Sequence, residues 1–365
     1  MNFEFSEEQE MMRDAAKRLL SDMSPLEQVH KIMNDDSAEY DKALWQAMAE
    51  NGWQGTAIPE EFGGAGLSYY ELAVLAEEMG SSLACVPFSS SIYLCAEAIL
   101  QAGTQAQKEK YLPGLASGET IGTLAFTEQS GRLDIGGIEA TASGGKLTGT
   151  KMPVADASVA DICIVAAKSG GGVSLYIVDL SKTEVSPLKG MDLTRPMSKV
   201  TLNNTEAELL GEEGKGWDVL QSVLNTAAVM FAFEQVGGSA KAIQVGKEYI
   251  CERYAFGRPL GSFQALKHRL ADCFLKSEMA RSNAYYAIWA LASGSDELPE
   301  AACYARVAAT DAYEFCSQEC IQVHGGIGFT WQAHPHLFLK RAKNLESRLG
   351  GRTHWREQMI QRLGA

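Results

Sequence analysis

The chain has 365 residues, 46% of them apolar and 21% charged, a globular composition that rules out a disordered chain and is long enough for two or three domains of about 150 residues. Lysine and arginine number 32 against 46 aspartates and glutamates, a formal net charge of −14. That balance excludes holding a nucleic-acid backbone or an anionic membrane by bulk charge.

Residues 1–119 read as helical. Ser6 followed by Gln9 fits a capping box, and Met11, Met12, Ala15, Leu19 and Leu20 then recur at helical spacing. The acidic, polar stretch Met1–Gln9 predicts no secretory or transit peptide. A second helix is expected near Ala38–Asn51, ending at Gly52. Pro59–Gly66 is a loop by its proline and glycines; its pattern is not GxGxxG after a strand, so it is no dinucleotide fingerprint. Tyr69–Met79, Ser90–Ala102 and Gln105–Ala116 continue the helical pattern.

Residues 120–211 change texture. Ile121–Thr127, Gly145–Lys151, Asp161–Ala167, Val173–Val178 and Lys199–Leu202 alternate or carry β-branched residues between turn signals, which predicts a β-sandwich or barrel. Residues 212–365 are helical again: Trp217–Glu252, Phe263–Leu291, Glu300–His324 and Pro335–Leu349 predict an antiparallel four-helix bundle. The fold class expected is α+β multidomain, in the order helical, β, helical. No apolar run approaches the roughly 18 residues of a membrane-spanning helix.

The eight cysteines include no CxxC pair and read as reduced core thiols in a cytoplasm. Cys316 and Cys320 share a helix face, and His324, His334 and His336 cluster in sequence, but neither set brings the further ligands a metal needs, so no metal is expected. No GxSxG elbow, P-loop or HExxH occurs.

Two runs carry chemistry. Arg253–Gln264 ends one helix, turns and opens another, placing Arg253, Phe256 and Gln264 near a helix N-terminus. A cation, a flat ring and backbone N–H groups suit an anionic, planar ligand; the plainer alternative is a helix–helix turn with a solvated arginine. Gln322–Phe329 ends a helix in Gly325 and Gly326. Glycine there is the usual helix stop, and it also lets a backbone approach a ligand closely.

Together these runs resemble the acyl-CoA dehydrogenase family. So do Phe5–Gln9, Pro59–Gly66, Ala125–Glu128, Phe256–His268 and the order of the three zones, covering nearly the whole chain. The resemblance implies FAD, with a carboxylate removing the proton α to a CoA thioester and the β hydrogen leaving as hydride. It also implies that the adenosine diphosphate end of FAD is held across a subunit interface by the residues matching Arg253, Phe256, Gln264, Gln322, Gly325 and Gly326. Phe126 and Thr127 match further cofactor positions.

The flavin side departs from the family pattern. Leu133 stands where the family has a serine, Pro153 where it has a tryptophan, and Ala155 where it has a hydroxyl. Neither family position for the base holds an acid: one aligns to Ala227, the other to Leu349 and Gly350. Glu234, Glu346 and Glu128 are the remaining acids to weigh, and each reads as structural. His324–Trp331 and Arg258–Asp272 look like bacterial members that pair unlike subunits. The resemblance therefore implies a cytoplasmic heterotetramer: this chain, a homologous base-bearing subunit, an acyl-CoA such as a fatty acyl or steroid side chain, and an electron-transfer flavoprotein as acceptor. Two alternatives stay open. One is a homomeric dehydrogenase with a displaced base; the other is a non-catalytic binding or scaffold protein.

Overall fold

Ser6 opens the first helix through a complete capping box: its Oγ accepts from the Gln9 amide at 3.3 Å, and Gln9 Oε1 accepts from the Ser6 amide at 2.9 Å. The computed structural model describes residues 5–35 and 38–364, so Met1–Glu4 of the N-terminal run lie outside the described residues.

In chain order the first zone holds α1 (Glu7–Met23), α2 (Leu26–Asn34), α3 (Lys42–Glu50) and α4 (Tyr69–Ser82). A π-helical segment, Ser89–Ala96, then runs into α5 (Glu97–Ala102), followed by α6 (Gln105–Ser117). The strands are β1 (Gly122–Ala125), β2 (Thr141–Ser143), β3 (Lys146–Ala155), β4 (Ile162–Ser169), β5 (Gly172–Asp179), β6 (Glu184–Leu188), β7 (Met197–Glu206) and β8 (Glu208–Leu210). After them come α7 (Gly216–Glu252), the short hairpin β9 (Tyr254–Ala255) and β10 (Arg258–Pro259), α8 (Gln264–Ala292), α9 (Leu298–His324), α10 (Pro335–Ser347) and α11 (Arg352–Arg362).

The helical, β, helical order holds. The last zone carries α11 beyond the four helices expected. α11 buries only Trp355 among its side chains, so it has no apolar stripe for periodicity to detect. The expected Ala38–Asn51 helix is α3, and α2 is a separate element before it.

By contacts the chain divides into two compact units. One comprises residues 1–34, 69–84 and 228–365; the other comprises 35–68 and 85–227. The second unit centres on an eight-stranded mixed sheet of order β6-β7-β3-β2-β4-β5-β8, with β1 pairing β4 in parallel. Leu147, Val154, Cys163, Val165, Tyr176, Val178 and Val200 fill its core. β4 and β5 pair in register from Ile162–Asp179 to Ser169–Gly172. Both strands are buried through most of their length, so they read as continuous apolar runs.

The first unit is helical. Arg13 on α1 donates to Glu77 at 2.8 Å and to Glu78 at 3.1 Å on α4, and Arg281 on α8 also donates to Glu77. α8 and α9 form an antiparallel pair: Arg269 meets Glu319, Cys273 meets Cys316, and Lys276 lies over the Phe315 ring. Contrary to the sequence expectation, α7 is long and apolar enough to cross a membrane, but 83% of its most apolar stretch is buried inside the protein. That burial marks a core helix. All eight cysteines are free thiols, and only Cys251 is exposed.

Candidate functional site

The antiparallel course of α8 and α9 brings the start of one beside the end of the other, and α7 ends there too. The Tyr249 ring of α7 stacks on His324 at 4.0 Å, and a Cβ on Gly246 would touch Val323 and Leu270. The Arg253 carbonyl accepts from the Leu260 amide at 2.8 Å, tying the hairpin back to the end of α7. Arg253, Phe256, Gln264, Gln322, Gly325 and Gly326 are thus gathered at one end of the helical unit, and all are exposed.

The geometry there is open toward something outside the chain. Among the described residues, the Arg253 guanidinium and the Gln264 and Gln322 amides have no hydrogen-bonding partner. No side chain caps the N-terminus of α8, which leaves backbone N–H groups and the positive end of a helix dipole available to an anion. Gly325 has φ +60°, and a Cβ on Gly325 or Gly326 would meet nothing within 4 Å. The chain leaves that space unfilled.

Phe256 and Gly257 form the two-residue turn of the β9–β10 hairpin, with φ of 54° and 78°. Such a turn favours Asn-Gly. A phenylalanine in the left-handed region is strained, and this one is 95% exposed. Its ring meets Phe263 edge-on at 6.2 Å, and the Arg258 guanidinium lies 4.0 Å over Phe263. The strained turn thus presents an aromatic face to solvent instead of packing it in the core.

The sheet unit presents a different picture at the residues that the resemblance assigns to the flavin side. Phe126 and Thr127 are half-buried. The Thr127 hydroxyl donates to the Pro153 carbonyl at 2.9 Å, and the Thr127 carbonyl accepts from the Met152 amide at 3.0 Å. This threonine fastens its own loop. Glu128 accepts from the Glu139 and Ala140 amides and from Lys151. Burial pushes the Glu128 carboxyl up, but those hydrogen bonds outweigh it and hold the group below the ordinary carboxylate value. Burial pulls the Lys151 ammonium below the ordinary lysine value. A carboxylate so engaged is a structural ion and not a free base. Arg132 and Asp134 pair with each other in the exposed loop around half-buried Leu133, and Ala155 presents only a methyl group.

No acid stands at the two positions that the resemblance assigns to the base. Ala227 is fully buried in α7. Leu349 is buried, with φ 58°, and its carbonyl accepts from Trp355 Nε1 at 3.1 Å; Gly350 follows. Glu346 is held by Lys343 at 3.0 Å and Arg352 at 3.6 Å, within a cluster that includes Glu314. Glu234 is 1% exposed on α7, and its electrostatic pull on fully buried Arg306 opposes the desolvation that lowers the Arg306 pKa to about 10. Arg306 donates to Gln235 and to the carbonyls of Leu345 and Arg348, locking α9 to α7 and to the turn that carries Leu349.

Sequence reading missed Arg306 and two further groups. Isolated arginines and histidines read as solvated there, and only tertiary structure brings Arg13 to Glu77 or His30 to His334. Among the described residues no cluster is suited to a metal ion.

The family model for the acyl-CoA dehydrogenase N-terminal domain matches residues 6–119, and that for the acyl-CoA dehydrogenase C-terminal domain matches residues 214–363. Acyl-CoA dehydrogenase IpdE2 of Mycolicibacterium smegmatis is 32% identical over 94% of this chain and 95% of its own length. A solved structure described as a Tcur3481-Tcur3483 steroid ACAD variant is 28% identical, with TM-score 0.89 and 98% of each chain covered. The ChsE4-ChsE5 complex from Mycobacterium tuberculosis is 25% identical, with TM-score 0.91, covering 100% of this chain and 99% of its own.

Proposed function

This chain belongs to the acyl-CoA dehydrogenase family, and from that premise we propose that it is the subunit of an FAD-dependent acyl-CoA dehydrogenase that lacks the catalytic base and acts only when paired with a homologous, base-bearing subunit. The observation that carries the reading is the contrast between its two halves. Arg253, Gln264, Gln322, Gly325 and Gly326 are outward-facing and unspent, while Ala227, Leu349 and Gly350 cannot take a proton.

In the proposed pair this chain's work is binding. Arg253 supplies countercharge to the pyrophosphate of the partner's FAD, and Gln264 and Gln322 donate amide hydrogen bonds. Phe256 offers its flat face to the adenine end. Gly325 and Gly326 let the backbone come close. FAD, when bound, supplies the acceptor for the substrate's β hydride. The α proton goes to a carboxylate this chain does not carry. The neighbours described as a steroid ACAD and as a two-protein complex support a bulky acyl-CoA as substrate and a pairing of unlike subunits; a cytoplasmic α2β2 arrangement is part of the same proposal. An electron-transfer flavoprotein is the proposed electron acceptor, following the family.

The test is to produce the chain alone and with a base-bearing homologue, and to record the visible flavin spectrum and acyl-CoA turnover of each. Flavin and turnover are expected only from the pair. Yellow, active protein from this chain alone would overturn the reading, and colourless, inactive pairs would favour a non-catalytic scaffold. Within the pair, Arg253→Ala is expected to weaken flavin retention about 10- to 100-fold, the worth of one charge-assisted contact, while circular dichroism stays unchanged. Glu234→Gln and Glu346→Gln are each expected to leave the turnover of the folded pair within about threefold, because uniform small losses are what structural side chains give. A collapse of turnover in either would identify a displaced base.

A further inference from the structure

We propose that His30, His334 and His336 form a proton-sensitive clasp that positions the glycine turn Gly325–Phe329, so that the grip of this end of the molecule on its ligand loosens in acid. The inference rests on the reading of that end as the cross-subunit grip only for its consequence, not for the clasp itself.

The glycine turn leads into Trp331, and Trp331 is fixed from three sides. Its Nε1 donates to Asn34 Oδ1 at the end of α2 at 2.6 Å. Its ring stacks on His336 at 5.6 Å, and Lys340 lies 4.0 Å over its face. Its carbonyl accepts from His336 Nε2 at 3.1 Å, and His30 Nε2 donates to the Ala333 carbonyl at 3.3 Å. His30 meets His334 and His336 edge-on, with ring centroids 5.0 and 5.6 Å away. Three imidazoles therefore bind α2 to the segment that follows the glycine turn.

The His30 and His336 contacts suit neutral rings whose one N–H points at a carbonyl, and His334 packs edge-on against the His30 ring. The Nδ1 atoms of His334 and His336 are buried and have no hydrogen-bond partner among the described residues. A second proton there creates a buried donor with nowhere to donate, on a ring already packed against another imidazole. The charged surroundings do not rescue it. Glu27 on α2 lies 3.6 Å from His334 and favours its charged form. Against it stand His30 on α2, His324 on α9 and Lys340 on α10, each of which disfavours a proton on the imidazole it faces. His334 also lines a cavity of about 520 Å³ with Lys17, Lys241, Glu27 and Glu78, where cations and acids balance.

Desolvation first, and the neighbouring imidazole with it, holds both His334 and His336 below the ordinary histidine value, although Glu27 and the Trp331 carbonyl pull the other way. The open state binds protons more readily than the closed one. The clasp is therefore intact above about pH 6.5 and weakens as pH falls below it.

The experiment is amide hydrogen exchange on the full chain alone, without partner or cofactor, at about pH 7.5 and about pH 5.5, corrected for intrinsic exchange rates. Protection across residues 322–334 is expected to fall about tenfold or more at the lower pH, while α11 changes little. His336→Gln and His30→Gln, each neutral at both values, are expected to flatten that dependence. His354→Gln, on α11, is expected to leave it intact; His354 is also held low by burial but lies outside the clasp. A segment whose protection does not change with pH, or changes only in step with α11, overturns the proposal. If both glutamine variants fail to fold, histidine titration of the wild-type chain by NMR decides instead, and ordinary titration of His334 and His336 overturns it. These readouts need no flavin, so they stand or fall separately from the pairing, which is tested by flavin retention at about pH 7.5.

Discussion

Gly237→Ala is expected to leave little folded protein. α4 and α7 cross through paired glycines: a Cβ on Gly237 would lie 1.8 Å from the Glu77 carbonyl oxygen, and one on Gly80 would lie 1.9 Å from the Glu234 carbonyl oxygen. Both obstacles are backbone, so no side chain can swing aside, and the helices must separate. Separation also pulls on Glu77, which is held by Arg13 and Arg281. Alanine gains about 1 kcal/mol of helix propensity over glycine, and that gain is overwhelmed. Overpacking alone costs about 1–3 kcal/mol where neighbours can relax, and a rigid backbone crossing lies at or beyond the upper end, a large share of a domain's stability of about 5–15 kcal/mol. Urea denaturation with near-UV circular dichroism measures it. Gly326→Ala is the control: its Cβ would meet nothing within 4 Å, so stability should stay within about 0.5 kcal/mol. Equal midpoints for the two variants would mean that the crossing is looser than described.

How far the residues announce this structure depends on how local each feature is. The exposed turns at Arg253–Gln264 and Gln322–Gly326 are legible because glycine stops and a helix start are short-range signals. That the position proposed for the base holds no acid is legible because Ala227 carries only a methyl group. The strands β3, β4, β5 and β7 are eight to ten residues long and show as runs; β2, β6 and β8, at three to five residues, are too short for a pattern. The helical pattern over Ser90–Ala102 is legible, but the Ser89–Ala96 segment is buried at every position, including three serines, so nothing in it marks the turns as π-helical. Buried charges are the systematic miss. Arg306 and Lys151 are fully buried, yet lysine and arginine read as solvated until a partner remote in sequence is seen beside them. The histidine clasp fails for the same reason, because His30 and His334 meet only in the folded chain.

Glu128→Gln is expected to cost about 3–5 kcal/mol, since it leaves the fully buried Lys151 ammonium facing a neutral amide. Lys151→Met should cost less, because Glu128 keeps two backbone donors, from Glu139 and Ala140. The double substitution should recover much of the loss, as replacing a buried ion pair with apolar bulk often does. The pH dependence carries a sign. The Glu128 carboxyl is held below its ordinary value, so its contribution is complete above about pH 4.5 and is lost as pH falls through the lower native value. Wild-type urea midpoints should drop across that range, and Glu128→Gln should drop less. A Glu128→Gln variant as stable as wild type would mean that the pair holds nothing together. The folded Lys151→Met protein then separates two functional readings. Lys151 adjoins Met152 and Pro153, which Thr127 fastens in the sheet unit. If this chain serves its partner's cofactor from Arg253 and Gln322, the pair assembled with Lys151→Met should retain flavin as wild type does. If the chain cradles the ring itself as a homomeric enzyme, disturbing that part of β3 should release flavin while Arg253 remains in place.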